Sequence, residues 1–139
     1  MKREYKDLVK AAQKAKLNAY APFSKFRVGA AVLAIDGTVF SGCNIENSSF
    51  GLTICAERVA IFNAISSQVS KFTALALVSD DHGFTAPCGA CRQVLSDLAG
   101  DIDIVMMDSK ERFKILKLSA LLPFAFTGKN LKRSLKLKK

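Results

Sequence analysis

The sequence predicts an α/β fold, a three-layer α/β/α sandwich built on a mixed central sheet of about five strands. Between residues 28 and 107, apolar strand-like runs alternate with helical patterns, the order that gives parallel neighbours joined by right-handed crossovers. The run from Val28 to Ile35 is apolar on both alternating sets, as in a strand covered on both faces. Asp36-Gly37 then reads as a hairpin turn, so at least one pairing is antiparallel.

Taken in order, Tyr5, Leu8, Val9, Ala12 and Ala15 recur at helical spacing, and no Gly or Pro interrupts residues 3–19, which predicts an amphipathic first helix ended by Ala21-Pro22-Phe23-Ser24. The returning hairpin strand, about Thr38 to Glu46, puts Phe40, Gly42, Asn44 and Glu46 on one face. On spacing alone, Asn44 with Glu46 reads either as a solvated rim or as a pair able to grip two neighbouring hydroxyls. Asn47-Ser48-Ser49-Phe50-Gly51 is turn-like, and Val59, Ala60, Phe62, Ala64 and Ile65 predict a helix that begins at Cys55. Phe72 to Ser79 is the next strand. Pro87 suits a helix entrance, and Cys91, Val94, Leu95 and Leu98 give that helix an apolar face before Gly100. Ile102 to Met107 and Phe113 to Leu116 are the remaining strands, and Ser119 is placed to cap a short helix that Pro123 ends. Leu131 and Leu135 sit in a lysine-rich tail too short to hold a helix by itself, so fraying is expected there.

A chain of 139 residues that is 50% hydrophobic fits one domain with a core that needs no disulfide staples. We divide it into a catalytic domain, residues 1–127, and a basic tail, residues 128–139. The tail holds Lys129, Lys132, Arg133, Lys136, Lys138 and Lys139, six of the net +9, and no acidic residue. Residues 1–127 carry 15 basic against 12 acidic residues, only +3. The charge therefore describes the tail, which keeps the protein soluble or attaches loosely to phosphate, and does not by itself predict a nucleic-acid substrate. No apolar run approaches the roughly 18 residues of a membrane span, and Met1 to Asp7 is charged rather than a secretory signal. A cytoplasmic location is expected, where spaced cysteines read as metal ligands or catalytic groups before disulfides.

Cys55-Ala56-Glu57-Arg58 and Pro87-Cys88-Gly89-Ala90-Cys91 are the stretches that carry chemistry. Both open helices, whose N-termini favour thiolate over thiol. Three sulfurs fit a catalytic metal, since a structural zinc takes four protein ligands and a catalytic one leaves a corner to water. Three thiolates with one dication sum to −1, and Arg58 is placed to offset that charge by donating toward sulfur. Glu57 is the proton-shuttle candidate, a carboxylate beside the metal but not on it. Cys43, on the strand face opposite Asn44, is expected to be a small buried side chain rather than a fourth ligand. His82, in a loop, is expected to be solvated.

These motifs, with Arg92-Gln93 after the second pair, resemble the zinc-dependent cytidine deaminase family in its small homotetrameric, three-cysteine form. Three cysteines, or one histidine and two cysteines, with a non-ligand glutamate are the general mark of zinc deaminases. The resemblance extends over residues 5–127, through Ala19-Tyr20-Ala21-Pro22-Phe23-Ser24-Lys25-Phe26, Val28-Gly29-Ala30-Ala31, Gly42-Cys43-Asn44-Ile45-Glu46-Asn47 and Leu121-Leu122-Pro123-Phe124-Ala125-Phe126. It implies one Zn2+ per subunit on Cys55, Cys88 and Cys91. Glu57 would carry protons from zinc water to ring nitrogen 3 and then to departing ammonia. Phe26 would stack on the pyrimidine, Asn44 and Glu46 would hold the ribose hydroxyls, and backbone near Ala56 and Cys88 would meet the base edge. Arg58 and Gln93 would stand around the metal ligands, and Phe126 would close the pocket of a neighbouring subunit. The implied reaction is hydrolysis of cytidine and 2′-deoxycytidine to the uridines and ammonia in pyrimidine salvage, with no membrane or specific nucleic-acid partner.

Two features depart from the family pattern. Phe50 stands where many members carry tyrosine, and the lysine-rich tail exceeds the family core. The competing readings are a deaminase of another aminopyrimidine nucleoside of the blasticidin S kind, a polynucleotide-editing deaminase, and a non-enzymatic basic zinc module that binds nucleic acid. Asn44 with Glu46 favours a ribose, and a chain that is nearly all core offers little room for a polynucleotide channel.

Overall fold

The computed structural model describes residues 1–137, with side chains to residue 132. Strands β1 (Val28–Ala34), β2 (Val39–Cys43), β3 (Phe72–Ser79), β4 (Asp103–Met107) and β5 (Phe113–Lys117) form one sheet in the order β2-β1-β3-β4-β5. Helices α1 (Arg3–Lys16), α2 (Ala56–Ser66), α3 (Gly89–Ala99), α4 (Leu118–Leu121) and α5 (Gly128–Leu137) complete the chain. No described helix is long and apolar enough to cross a membrane.

The strand alternation of β1 sorts its side chains between two layers. Ala31 and Leu33, with Ala74, Ala76, Val78 and Val105, meet Tyr5, Leu8, Val9 and Ala12 of α1. Ala30, Val32 and Ala34, with Leu75, Leu77, Ile104 and Met106, meet Ala56, Ala60, Ile61 and Ala64 of α2 and Leu95 of α3. The result is the expected α/β/α sandwich, and each fully buried Leu or Ile contributes roughly 1.5–3 kcal/mol to it. Two glycines set how closely the helices approach. A Cβ at Gly29 would lie 2.0 Å from the Ala12 carbonyl of α1, and one at Gly42 would lie 2.5 Å from Ala60 N of α2.

Strand order corrects the reading of parallel neighbours. β1 pairs antiparallel with both β2 and β3, so β2 and β3 run parallel but with β1 between them, and α2 crosses over β1. Only β3 and β4 are parallel neighbours, and β5 returns antiparallel. Periodicity reports which residues share a face and carries no information on which edge of β1 a later strand takes.

Local boundaries differ for identifiable reasons. α1 stops at Lys16, ahead of Ala21-Pro22: Leu17, Asn18 and Ala19 N–H groups tighten onto Lys14, Ala15 and Lys16 carbonyls, and Tyr20 then exchanges backbone bonds with Asn44 and Glu46. β1 ends at Ala34, leaving Ile35 exposed, and β2 ends at Cys43 because Ile45 forms bridges to Tyr20 and Ile54 outside the sheet. Ser119 lies inside α4 rather than capping it, and Asp101 accepts both its N–H and its hydroxyl. Gly128–Leu137 is helical where fraying was expected, and the start of α5 is fastened by Asn130 Oδ1, which accepts the Thr127 N–H at 2.8 Å. Lys138 and Lys139 lie outside the described residues.

Candidate functional site

Cys55 and Cys88 are the residues immediately before α2 and α3, both extended, and neither side chain caps its helix, so each sulfur is free to turn inward. Cys91 follows one turn into α3 and is fully buried. Cys55 Sγ lies 3.8 Å from Cys88 Sγ, and Cys88 Sγ lies 3.5 Å from Cys91 Sγ. Tetrahedral zinc with bonds of about 2.3 Å requires sulfurs about 3.8 Å apart. All three sulfurs lie within 4.8 Å of one another, and no other His, Cys, Asp or Glu among the described residues joins them. The donor set therefore fits zinc with three protein ligands. Cys43 is outside it, half-buried, with its thiol pushed up by burial.

The electrostatics of the cluster follow from burial and from one arginine. Hydrogen bonds from Cys91, Arg58 and Cys88 lower the Cys55 thiol to about 5. The bond to Cys55, burial and the Glu57 charge hold the Cys91 thiol up. Arg58 Nη2 donates to Cys55 Sγ at 3.4 Å, and its Nε is buried without a partner. Glu57, 4% exposed in the first turn of α2, has Oε2 3.6 Å from Cys91 Sγ, and burial pushes its carboxyl up to about 7.

A cavity of about 190 Å³ opens over this cluster, lined by Val28, Asn44, Thr53, Cys55, Ala56, Glu57, Thr85, Ala86 and Cys88. Thr53 also lines a second cavity of about 390 Å³, with Phe23, Ser24, Glu46 and Phe50. Two recesses thus meet at Thr53, one floored by sulfur and a buried carboxyl, the other largely aromatic with Glu46 in its wall.

Comparison with known proteins places this geometry. Residues 2–107 match the family described as the cytidine and deoxycytidylate deaminase zinc-binding region. The chain belongs to the cytidine deaminase family. It is 46% identical over 125 residues to a cytidine deaminase of Sporosarcina psychrophila, covering 89% of this chain and 92% of that one. It is 44% identical over 125 residues to a cytidine deaminase of Halalkalibacterium halodurans, covering 89% and 95%. The fold is similar to a crystal structure of cytidine deaminase from Burkholderia pseudomallei, with a TM-score of 0.85 at 43% identity over 91% of this chain and 100% of that one.

Against the cytidine deaminase pattern, the residues singled out in the sequence fall into two groups. Asn44, 7% exposed, accepts the Val28 N–H on Oδ1 at 2.9 Å and donates from Nδ2 to the Phe26 carbonyl at 2.8 Å. Glu46 Oε1 accepts the N–H groups of Phe23 and Ser24 at 2.9 and 3.0 Å, and Oε2 accepts the Ser24 hydroxyl. These bonds hold its carboxyl below the usual range, the Ser24 hydroxyl first. Ala56 lines the cavity, whereas Phe26 lines neither recess and stands half-exposed on the loop that Asn44 holds. Phe126 and Gln93 form the second group, which lines neither cavity. Gln93 Nε2 donates to the Phe126 carbonyl at 2.9 Å, and Phe126 is 58% exposed. Phe50 stacks edge-on against Phe23, with ring centroids 5.8 Å apart.

Three further residues belong to the site: Arg92, part of the second motif but with no role expected for it, and Thr53 and Thr85, which no motif contains. Arg92 joins Pro87, the residue before Cys88, to α4: Nε donates to the Pro87 carbonyl at 2.6 Å and Nη1 to the Leu121 carbonyl at 2.7 Å. Its adjacency to Cys91 was the available signal. Thr53 and Thr85 lie in loops with no periodicity, and nothing in the sequence marks them as cavity walls.

Proposed function

We propose that this chain hydrolyses cytidine and 2′-deoxycytidine to uridine and 2′-deoxyuridine with release of ammonia, serving pyrimidine salvage. The observation that carries the reading is a buried glutamate beside three convergent sulfurs at the floor of a small cavity. Cys55, Cys88 and Cys91 would hold the zinc, which would supply a Lewis acid that lowers the pKa of a water enough for its deprotonated form to attack ring carbon 4 near neutral pH.

The remaining work falls to the chain. Glu57, with its carboxyl pushed up to about 7 by burial, can take a proton near neutrality, pass it to ring nitrogen 3 and deliver another to the departing amine. Arg58 donates to the Cys55 thiolate and offsets the excess negative charge of the sulfurs. Backbone beside Ala56 and Cys88 meets the base edge, and Phe26 stacks on the ring. Asn44 has used one of its two amide hydrogens, and Glu46 has accepted three hydrogen bonds of the roughly four a carboxylate can take. Each therefore keeps a position for a sugar hydroxyl.

Phe126, exposed and held by Gln93, is suited to close the pocket of a second copy, and a homotetramer is part of the proposal. So are the division into a catalytic domain, residues 1–127, and a basic tail, and a cytoplasmic setting that keeps the cysteines reduced. The test is the fall in ultraviolet absorbance when cytidine is added, with and without a zinc chelator, beside a sizing run. The expected result is a fall that the chelator abolishes and zinc restores, from a particle four chains in mass. No fall with zinc-loaded protein would overturn the reading.

A further inference from the structure

The Phe26–Val28 segment is held from two sides. From within the site, Asn44 takes the Phe26 carbonyl and the Val28 N–H, one bond on either side of Arg27. From outside, Asp80, the first residue after β3, takes Arg27 itself. Asp80 Oδ2 accepts the Arg27 N–H at 2.8 Å and Nε at 3.1 Å, Oδ1 accepts Nη2 at 3.1 Å, and Asp80 N–H returns to the Arg27 carbonyl at 3.0 Å. Lys16 Nζ completes the set, 3.1 Å from Asp80 Oδ1 and 3.3 Å from the Ser79 carbonyl. The roughly four acceptor positions of a carboxylate are thus all taken, and all by Lys16 and Arg27.

The same turn also reaches the loop that brings Thr85 to the cavity. Ser79 Oγ shares a short hydrogen bond with Thr85 Oγ1 and accepts the Asp81 N–H at 3.0 Å. Thr85, Ala86 and Cys88 line the metal cavity, as Val28 and Asn44 do. Ser79-Asp80 is therefore where the loop carrying Phe26 and the loop carrying the second cysteine motif are tied together.

We propose that Asp80 is a positioning residue for deamination: through Arg27 it fixes where the Phe26–Val28 segment, which brings Val28 to the cavity, stands relative to the Thr85–Cys88 segment. The proposal rests on the reading that Phe26 stacks on the pyrimidine. A partly exposed ion pair adds little to global stability, about 0–1 kcal/mol. Loosening one wall of a binding site, by contrast, costs in ground-state binding.

Asp80→Ala is expected to raise KM for cytidine about tenfold while kcat stays within about threefold, because the groups that touch the reacting atoms are not moved. Zinc content and the urea midpoint near neutrality should remain close to wild type. Arg27→Ala, which keeps its main-chain N–H on Asp80 Oδ2, should reproduce part of the change, and the double variant should add nothing to Asp80→Ala, since the side-chain contact is already lost there. Asp80→Asn keeps an oxygen that can accept both the Arg27 N–H and its Nε and should recover most of the KM, which a general loss of structure would not. If Asp80→Ala does not fold, Arg27→Ala and Asp80→Asn decide the matter. KM unchanged in both alanine variants would overturn the proposal. So would KM, kcat and zinc content changing together with Asp80→Asn as damaged as Asp80→Ala. A zinc-loaded wild type inactive on cytidine would overturn the underlying reading first, whereas an active wild type with unaffected variants overturns this proposal alone.

Discussion

Gly42→Ala should damage the metal centre from the far side of α2. Gly42 lies on β2 beneath the first turn of α2, where an added Cβ would stand 2.5 Å from Ala60 N, 2.7 Å from the Ala56 carbonyl and 2.9 Å from Val59 Cβ. Ordinary contacts begin near 3.4 Å, so the nearest atom must retreat by 3.4 minus 2.5, about 0.9 Å. Two of the three obstacles are backbone, so the helix moves as a body and carries Cys55, Ala56 and Glu57 with it. Overpacking of this kind costs about 1–3 kcal/mol, and a displacement near 1 Å at a reacting centre can cost about 10²-fold in rate. The assay is urea unfolding beside zinc content and steady-state kinetics. Gly51→Ala, where nothing lies within 4 Å of the new Cβ and φ is not positive, serves as the control. A Gly42→Ala protein with wild-type stability, zinc and kcat would refute the argument that contact between α2 and the sheet sets the sulfur geometry.

Cys43→Ser should keep both zinc and activity, because Cys43 stands outside the sulfur cluster; loss of zinc would revive a four-cysteine structural site. Arg58→Ala should weaken zinc binding by about 10–100-fold in chelator competition, since the Cys55 thiolate loses its donor; unchanged affinity would count against that role. Acid stability should report Asp80, whose carboxyl is held well below the usual range, first by its bonds from the Arg27 side chain. With the folded value beneath the unfolded one of about 3.9, the folded state binds fewer protons, so this contribution is present above that pH and is lost as pH falls through the lower folded value. The urea midpoint should therefore fall less between pH 5 and pH 2, on the order of one ion pair's worth, in Asp80→Asn than in wild type. Equal slopes would contradict the assignment.

Much of the site was legible because its chemistry is local. The apolar spacing after Cys55 and after Cys88 marks each as a helix start, Cys91 follows one turn on, and those three positions are where the sulfurs converge. What remained hidden depends on contacts far apart in sequence. The early end of α1 comes from Tyr20 pairing with Asn44 and Glu46, and no local signal in residues 3–19 announces it. Strand alternation puts Asn44 and Glu46 on a shared face, yet the strand ends at Cys43, and both side chains brace the loop of residues 22–28. Ser119 carried the right cap chemistry, but Asp101, 18 residues away, supplied the acceptor. Insertion of β1 between β2 and β3 is likewise a choice among edges that alternation cannot express.

The most direct test of the account is Glu57→Gln, which preserves the shape of a buried side chain 3.6 Å from Cys91 Sγ and removes its ability to carry a proton. Zinc should remain at one per chain, and turnover of cytidine should fall by about 10²–10⁴-fold or more. A zinc-loaded Glu57→Gln protein that deaminates cytidine at the wild-type rate would contradict the account at its centre.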